Sequence, residues 1–174
     1  MDGVKLEGGR TMVETVKGIV RAGIPVMGHL GLTPQSASMI GGYKVQGRTG
    51  ATAIALLEDA LALEEAGVFA ILLELVPARV AAVITHKLGV PTVGIGSGPD
   101  CSGQCQILHD CVGMFEAFTP RHAKRYAEVG QAISEGVAQF VREIQERTYP
   151  GPEHSFKIDR EALQEFQEYA EGRA

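Results

Sequence analysis

The stretch AGVFAILLELVP (residues 66–77) joins the end of a helical pattern to a nearly continuous apolar run. Gly67 supplies the left-handed residue that commonly follows a helix, and Pro77 suits the first position of the next helix. An apolar run of this length predicts a strand that is buried on both faces, as in a parallel sheet covered by helices. The stretch therefore predicts one α/β unit.

The junction at Gly67 has two counterparts, at Ala22-Gly23-Ile24-Pro25 and at Leu88-Gly89-Val90-Pro91. In each, a helical pattern stops at glycine and an apolar run follows. This repetition predicts an α/β protein with a parallel sheet, as in a doubly wound fold or a barrel. The predicted strands span residues 4–7, 26–30, 70–75, 92–95 and, on a weaker pattern, 106–108.

Helix start signals separate these strands. Thr11 with Glu14 forms a capping-box pattern, and Thr119-Pro120 pairs a cap with a proline suited to the first turn. The predicted helices span residues 11–22, 50–66, 78–88 and 120–147, the last with a break near Gly130, and a polar helix begins at Asp159. This polar helix follows a Pro/Gly break and is expected to be peripheral.

The length and composition allow one substantial core. The chain has 174 residues, of which 45% are hydrophobic. A complete (β/α)8 barrel takes about 250 residues and eight strands, whereas this pattern offers about five. The fold is therefore either a smaller open sheet or an incomplete barrel that lacks its first strands, and a strand that begins within a few residues of Met1 favours the incomplete barrel.

Charge and hydropathy argue against several function classes. The chain carries 16 Lys and Arg against 21 Asp and Glu, a formal net charge of -5, and no basic run. This balance gives no basis for binding nucleic acid or an anionic membrane. No apolar stretch is long enough to span a bilayer, and the first residues lack a signal-peptide pattern. We expect a cytoplasmic protein that binds a small molecule or another protein.

Three cysteines, Cys101, Cys105 and Cys111, lie close together with His109 and Asp110. A metal site is one interpretation of this group, but the spacing matches no common zinc pattern. The alternative, which we expect, is that reduced cysteines pack as small hydrophobic residues.

Two charged residues on the first predicted strand, Lys5 and Glu7, are candidates for a functional site. They are two residues apart, so the period of a strand places both side chains on one face. Gly8-Gly9 opens the following loop, which puts the pair at the carboxy-terminal end of the strand, where barrel enzymes place catalytic groups. An ordinary ion pair at an exposed strand is the alternative.

Glu74 is a carboxylate inside an apolar run. Burial raises the pKa of a lone carboxyl group toward neutrality, as a general base requires, although a buried salt bridge is the alternative. His29 ends the second predicted strand at the same edge, where a core histidine is equally plausible. The turn GIGSG (residues 94–98) could present N–H groups to an anion or could serve only as a tight turn.

Several segments together resemble ketopantoate hydroxymethyltransferase, also called 3-methyl-2-oxobutanoate hydroxymethyltransferase. They are VKLEGG (residues 4–9), GHLGLTPQS (28–36), GGYKVQGR (41–48), GIGSG with the following GQ (94–98 and 103–104), and PGPEHSF (150–156). The resemblance extends from residue 4 to residue 156. We therefore assign residues 1–156 to the carboxy-terminal part of a hydroxymethyltransferase barrel and residues 157–174 to a peripheral helix.

The resemblance implies a (β/α)8 barrel that forms homo-oligomers, binds Mg2+, and transfers a hydroxymethyl group from methylenetetrahydrofolate to 3-methyl-2-oxobutanoate. The product, 2-dehydropantoate, belongs to pantothenate biosynthesis. Magnesium would stabilise an enolate of the oxo acid while a base removes a proton from its branched carbon. By motif, Glu74 resembles that base, Glu7 a residue of the magnesium site, Lys5 the partner of the substrate carboxylate, and His29 a substrate-binding histidine.

Two metal- and substrate-binding aspartates of the family, one beside a serine, have no counterpart in this sequence. No Asp-Ser pair occurs, and Asp2 fits neither motif. Because Glu7 alone would hold magnesium poorly, we expect the isolated chain to have lost most turnover. The alternative is a catalytically silent fragment or an assembly subunit that needs another chain to supply the missing aspartates.

Overall fold

A computed structural model describes residues 2–39, 41–115 and 117–173, and its centre is a parallel sheet of five strands. The strands are β1 (Val4–Glu7), β2 (Val26–Gly31), β3 (Ala70–Glu74), β4 (Thr92–Ile95) and β5 (Gly103–Gln104). The helices are α1 (Val13–Arg21), α2 (Gly50–Glu65), α3 (Ala78–Lys87), α4 (Leu108–Cys111), α5 (Val129–Gln145) and α6 (Arg160–Glu171). Short 3-10 turns lie at Arg10–Met12, Pro34–Ser36 and Pro152–His154.

The strands lie in the sheet in the order in which they occur along the chain, β1-β2-β3-β4-β5, and every neighbouring pair is parallel. The helices α1, α2 and α3 connect the first four strands. A doubly wound sheet reverses its strand order at a switch point, whereas a barrel does not. The architecture is therefore α/β and consistent with the barrel family.

The hydrophobic core lies between the sheet and helices α1, α2 and α3. Burial of a Val, Leu or Ile side chain contributes about 1.5–3 kcal/mol to folding, so this layer accounts for most of the stability. β3 is buried on both faces, as its apolar run predicted. The fully buried apolar side chains are Val16, Val26, Ala60, Leu63, Ile71, Leu73, Ala81 and Ile84.

The first four predicted strands are confirmed almost residue for residue, but the prediction for the fifth was wrong. β5 comprises Gly103 and Gln104, which pair with Val93 and Gly94 of β4. Residues 106–108 leave the sheet, because the side-chain amide of Gln106 bonds the backbone of Lys124 in a later loop. Ile107 then becomes the N-cap of the short helix α4.

The helix predicted to start at Pro120 begins only at Val129 and runs without a break at Gly130. The residues directly before Val129 are not helical. The backbone N–H of Tyr126 donates to the carbonyl of Cys111, and that of Val129 donates to the carbonyl of Val112. Residues 120–128 are therefore a loop anchored to the end of α4, and Thr119-Pro120 caps no helix.

The capping box predicted at Thr11 and Glu14 is also absent. Thr11 lies in the 3-10 turn at Arg10–Met12, and α1 starts after Met12 without a side-chain cap. The turn is fixed instead by Arg10, whose backbone N–H and guanidinium both donate to Asp59 of α2. A tertiary contact between Arg10 and Asp59 therefore fixes this turn, in place of the predicted capping box.

The helices α2 and α3 agree with their predicted ranges. Thr49 caps α2 through a reciprocal arrangement with Thr52. Pro77 was predicted to be the first residue of α3 and is instead its N-cap residue. Helix α6 begins one residue later than predicted, with Asp159 as its N-cap residue, and the Asp159 side chain makes no capping hydrogen bond.

The three cysteines occupy different environments. Cys101 is buried in the core, Cys111 is half-buried and Cys105 is exposed, and no disulfide joins them. Within the described part of the chain, no three His, Cys, Asp or Glu side chains are arranged to hold a metal ion. None of the described helices is long and apolar enough to cross a membrane.

Candidate active site

The carboxy-terminal ends of β1, β2 and β3 meet at one edge of the sheet. The strand register places Glu7 opposite His29, and Gly31 opposite Glu74. Parallel neighbours bring equivalent ends together, so side chains far apart in sequence become neighbours there. The structure brings all four predicted site residues, Lys5, Glu7, His29 and Glu74, to this edge.

His29 is the centre of the group, with only 2% of the residue exposed. Its Nδ1 lies 2.9 Å from Nζ of Lys5, and its Nε2 lies 3.1 Å from Oε2 of Glu74. The lysine ammonium has only hydrogens to donate, so Nδ1 accepts and the imidazole hydrogen belongs on Nε2. His29 is buried like a core histidine, yet both of its nitrogens face charged groups.

The Nε2–H of His29 is close to Glu74 but is not aligned with it. No described residue makes a hydrogen bond to this nitrogen, despite the 3.1 Å separation from Oε2 of Glu74. Hydrogen bonds weaken steeply as the donor angle bends, so a short distance alone is insufficient. The Nε2–H of His29 is therefore a buried donor without an acceptor among the described residues. A small side-chain rotation or a ligand oxygen could supply that acceptor.

Glu7 is held in a fixed position beside the histidine. The backbone N–H of Gln35 donates to Oε2 at 3.0 Å. Oε1 faces Nδ1 of His29 at 3.6 Å and Nζ of Lys5 at 3.8 Å. The predicted placement of Lys5 and Glu7 on one strand face is thus confirmed, while the contribution of Gln35 was missed.

Lys5 brings a positive charge to the mouth of the site. Its side chain is 44% exposed, whereas the side chain of Glu7 is 9% exposed. The ammonium has three hydrogens and uses one toward His29. The remaining donors can therefore face a negatively charged ligand that enters from solvent.

Burial raises the pKa of Glu74 above that of an ordinary glutamate; the positive charge of Lys5 opposes the shift and the negative charge of Glu7 adds to it. Burial also lowers the pKa of His29 to about 4, helped by Lys5 and opposed by the backbone of Leu32. At neutral pH the imidazole of His29 is therefore uncharged. The raised pKa makes the carboxylate of Glu74 a stronger base than an ordinary glutamate. The direction of the Glu74 shift agrees with the sequence-based prediction.

The backbone around Glu74 is held from both neighbouring strands. The N–H of Leu32 donates to the carbonyl of Glu74 at 2.8 Å, and the N–H of Leu75 donates to Ile95 at 2.9 Å. Gly31 is required beside it, because a Cβ there would collide with the Glu74 carbonyl. Leu75 adopts a left-handed conformation, with φ of 48°. The chain therefore turns sharply directly after the carboxylate.

Ser97 stabilises this turn from β4. Its hydroxyl donates to the carbonyl of Leu73 at 2.7 Å and accepts from the N–H of Val76 at 3.1 Å. Ser97 is 1% exposed, so these bonds are shielded from water. Ser97, the serine of the GIGSG turn, therefore links Leu73 and Val76, which lie before and after Glu74 in the chain. No sequence signal distinguished this role from the anion-binding alternative.

The described residues offer a magnesium ion one carboxylate. Glu7 would supply it, and one of its oxygens already accepts the N–H of Gln35. Glu74 approaches the opposite nitrogen of His29, so the two carboxylates do not converge on one point. Magnesium is commonly bound through one or two carboxylates and retains several waters. These residues fit the ion only as one ligand, with water and substrate completing its shell.

The sequence of the chain matches a known protein family. The sequence model for ketopantoate hydroxymethyltransferase matches residues 1–152. The chain belongs to this family. The resemblance inferred from the sequence motifs is thereby confirmed.

Curated relatives named 3-methyl-2-oxobutanoate hydroxymethyltransferase come from several bacteria. The protein of Acetivibrio thermocellus is 53% identical over 156 residues, which are 90% of this chain and 55% of the relative. That of Chloroflexus aurantiacus is 54% identical with the same coverage, and that of Thermus thermophilus is 53% identical over 89% of this chain and 59% of the relative. The chain thus spans little more than half the length of these relatives.

The segments that carry the resemblance to ketopantoate hydroxymethyltransferase surround the four site residues. The GHLGLTPQS segment supplies His29 and the Gln35 N–H that holds Glu7. The GGYKVQGR segment reaches the turn after Glu74, where the N–H of Gln46 donates to the carbonyl of Leu75 at 3.0 Å. In this chain, these motifs therefore supply backbone N–H groups that hold the site in place, in addition to the charged side chains of the site.

Proposed function

We propose that this site serves hydroxymethyl transfer from methylenetetrahydrofolate to 3-methyl-2-oxobutanoate, which gives 2-dehydropantoate in pantothenate biosynthesis. The observation that carries the proposal is the carboxylate of Glu74, with its pKa raised by burial, beside an uncharged imidazole and near the ammonium of Lys5. The names of the relatives support the same reaction.

Glu74 acts as the general base in this proposal. Its carboxylate takes the proton from the branched carbon of the oxo acid, and the electron pair of that C–H bond moves toward the carbonyl oxygen to form an enolate. Water supplies the oxygen of the hydroxymethyl group: it adds to the methylene carbon of the folate, both C–N bonds break, and tetrahydrofolate leaves with formaldehyde released in the site. The enolate carbon then bonds to the formaldehyde carbon, and the carbonyl oxygen takes up a proton to become the hydroxyl group. A base with a raised pKa suits this step, because an ordinary carboxylate is too weak to take a carbon-bound proton efficiently.

Lys5 and His29 bind the substrate. The ammonium of Lys5 faces solvent and can pair with the carboxylate of the oxo acid. The unpartnered Nε2–H of His29 can donate to a substrate oxygen next to the base. Both groups would also restrict the orientation of the substrate, which lowers the barrier by preorganisation.

Glu7 is the proposed magnesium ligand, with water and the oxo acid as the other ligands. The bound ion would polarise the substrate carbonyl. The proximity of Lys5 to Glu7 reduces the negative charge that attracts a cation, so we expect weak binding.

The sheet itself is proposed to form part of a (β/α)8 barrel in a homo-oligomeric, cytoplasmic enzyme. The unreversed strand order supports a barrel. β1 has a strand partner on one side only among the described residues, so its other edge can pair with a further strand. This edge also favours the second candidate, an assembly subunit that is silent until another chain completes the site.

The decisive experiment follows hydrogen exchange at the branched carbon of 3-methyl-2-oxobutanoate by proton NMR in deuterated buffer, with and without magnesium. We expect magnesium-dependent exchange that falls by about 100-fold or more in Glu74→Gln, because loss of a general base typically costs this much. Glu65→Gln is the matched control, since Glu65 is an exposed residue of α2.

Exchange that persists in Glu74→Gln would contradict the role of Glu74. Exchange no faster than buffer with the native chain would favour the assembly subunit, whose site another chain must complete.

A further inference from the structure

Hydrogen bonds hold the chain on both sides of the proposed base, Glu74. The hydroxyl of Ser97 donates to the carbonyl of Leu73 at 2.7 Å and accepts the N–H of Val76 at 3.1 Å. Backbone groups from other segments bond the carbonyl of Glu74 and both backbone polar groups of Leu75. Among the described residues, Ser97 is the only one whose side chain makes hydrogen bonds to this stretch of backbone.

Leu75, the residue after the base, has a strained backbone. Its φ of 48° lies in the left-handed region, where a residue other than glycine is uncommon and costs free energy. Such a conformation persists only when the surrounding structure holds it. The two bonds of Ser97 reach the residues that flank Glu74 and Leu75, so they oppose a return of the turn to an extended conformation.

The conformation of Leu75 bears on the position of the Glu74 carboxylate. The two residues share one planar peptide group, so a change in φ at Leu75 rotates that group and shifts the backbone that carries Glu74. The carboxylate has little room for such a shift, because Oε2 lies 3.1 Å from Nε2 of His29 and the side chain is 17% exposed. A misplacement of about 1 Å in an active site can slow catalysis by about 100-fold.

We propose that Ser97 is a positioning residue for the base: its hydroxyl fixes the left-handed turn at Leu75 and so keeps the carboxylate of Glu74 beside the imidazole. The proposal rests on the proposed function, in which Glu74 takes the proton from the oxo acid. Ser97 does not bind the substrate, because it is 1% exposed and donates its one hydroxyl hydrogen to Leu73. Its effect therefore falls on the rate of proton removal and not on the affinity for the oxo acid.

The kinetic test measures exchange at the branched carbon of 3-methyl-2-oxobutanoate by the full chain, over a range of substrate concentrations. Ser97→Ala should lower kcat for exchange by about 10- to 100-fold, the loss that a misplaced catalytic group causes. KM should stay the same, because the substrate-binding groups of Lys5 and His29 are untouched.

A spectroscopic test needs no turnover. The Nε2–H of His29 gives a proton NMR resonance, which is identified by its absence from His29→Gln, and the nearby carboxylate of Glu74 deshields this proton. Ser97→Ala should move the resonance to higher field, as Glu74→Gln does, because both substitutions take the carboxylate away from the ring. An unchanged resonance in Ser97→Ala would overturn the proposal.

A second variant acts on the turn with Ser97 still in place, and it serves equally if Ser97→Ala does not fold. Leu75→Ile keeps the size and apolar character of the side chain, but a β-branched residue strongly disfavours the left-handed region. It should shift the His29 resonance as Ser97→Ala does. A resonance that stays in place in Leu75→Ile would refute the role of the turn.

Thr85→Ala is the matched control. The hydroxyl groups of Thr85 and Thr92 share a hydrogen bond of 2.7 Å at the opposite end of β4, so this variant also removes a hydroxyl contact to the strand. It should leave kcat and the His29 resonance unchanged. Equal effects of Thr85→Ala and Ser97→Ala would refute a specific action of Ser97 on the base.

The outcome is separable from that of the proposed function. A His29 resonance that moves in Ser97→Ala, in a chain that shows no exchange, would support the positioning role and refute catalysis by the isolated chain. Exchange that requires Glu74 but has the same kcat in Ser97→Ala would refute the positioning role and leave the base in place.

Discussion

The sheet region, residues 4–104, and the carboxy-terminal helices α5 and α6 differ in how they use their apolar residues. Every buried apolar side chain among the described residues lies between Val16 and Cys101. No residue of α5 or α6 is buried, although α5 carries Ile133, Val137, Phe140, Val141 and Ile144. The same residue types therefore stabilise one region through packing and contribute little in the other.

The carboxy-terminal helices depend on local interactions instead. Side-chain pairs four residues apart link Gln131 to Glu135, Gln139 to Glu143 and Gln164 to Glu168. Each such pair contributes about 0.2–0.5 kcal/mol, far less than one buried side chain. The comparison teaches that a helical pattern in sequence reports helix formation but not where the stability resides.

The largest expected difference concerns two isoleucines. Ile71→Ala in β3 should lower the free energy of unfolding by about 2–5 kcal/mol, because it removes a fully buried side chain and leaves a cavity. Ile144→Ala in α5 should change it by less than about 0.5 kcal/mol, since Ile144 is 47% exposed. Urea denaturation followed by circular dichroism measures both. Equal effects would mean that α5 buries its apolar face in solution.

The next effect is the pH dependence of stability that His29 gives the sheet region. The pKa of His29 is lowered to about 4 in the folded protein from 6.5, so the unfolded chain binds the extra proton first. The stability contributed by the neutral imidazole is present above pH 6.5 and is lost as the pH falls toward 4, by up to about 3 kcal/mol. Urea denaturation across this range should show a smaller loss in His29→Gln.

Glu74 acts in the opposite direction in the same experiment. Its pKa is raised on folding, so its contribution becomes more favourable as the pH falls toward the ordinary glutamate value. The difference between the native chain and His29→Gln separates the two effects, because both proteins retain Glu74. Parallel pH profiles for the two proteins would refute the buried neutral histidine.

The smallest expected difference concerns two serines. Ser97→Ala should lower the free energy of unfolding by about 1–3 kcal/mol, because the N–H of Val76 loses its acceptor in a buried setting. Ser134→Ala, on the exposed surface of α5, should have an effect near zero or be slightly stabilising, because alanine favours helix. Thermal denaturation of both variants checks this, and a neutral Ser97→Ala would show that water replaces the hydroxyl.

Much of the sheet and of the site could be predicted because two strong regularities act there. Continuous apolar runs locate buried strands, and the two-residue period of a strand places Lys5 beside Glu7. Parallel pairing then brings His29 and Glu74 to the same edge. These features depend on local patterns that tertiary contacts reinforce.

The features that escaped prediction depend on backbone groups from distant parts of the chain. The N–H of Gln35 on Glu7, the Ser97 hydroxyl and the left-handed Leu75 have no local pattern. The wrong start of α5 has the same origin, because Tyr126 and Val129 bond to residues near α4 rather than to their own helix. Side-chain propensity alone does not report such long-range hydrogen bonds.

The unreversed strand order also bears on how the protein folds. Each described strand pairs only with strands that directly precede or follow it in the chain, and one α-helix lies between β1 and β2, between β2 and β3, and between β3 and β4. No strand has to be inserted between two that are already joined, so the sheet can grow by addition at its edge. Closing loops between successive units costs less entropy than closing long ones. The order of synthesis on the ribosome can therefore also be the order of assembly.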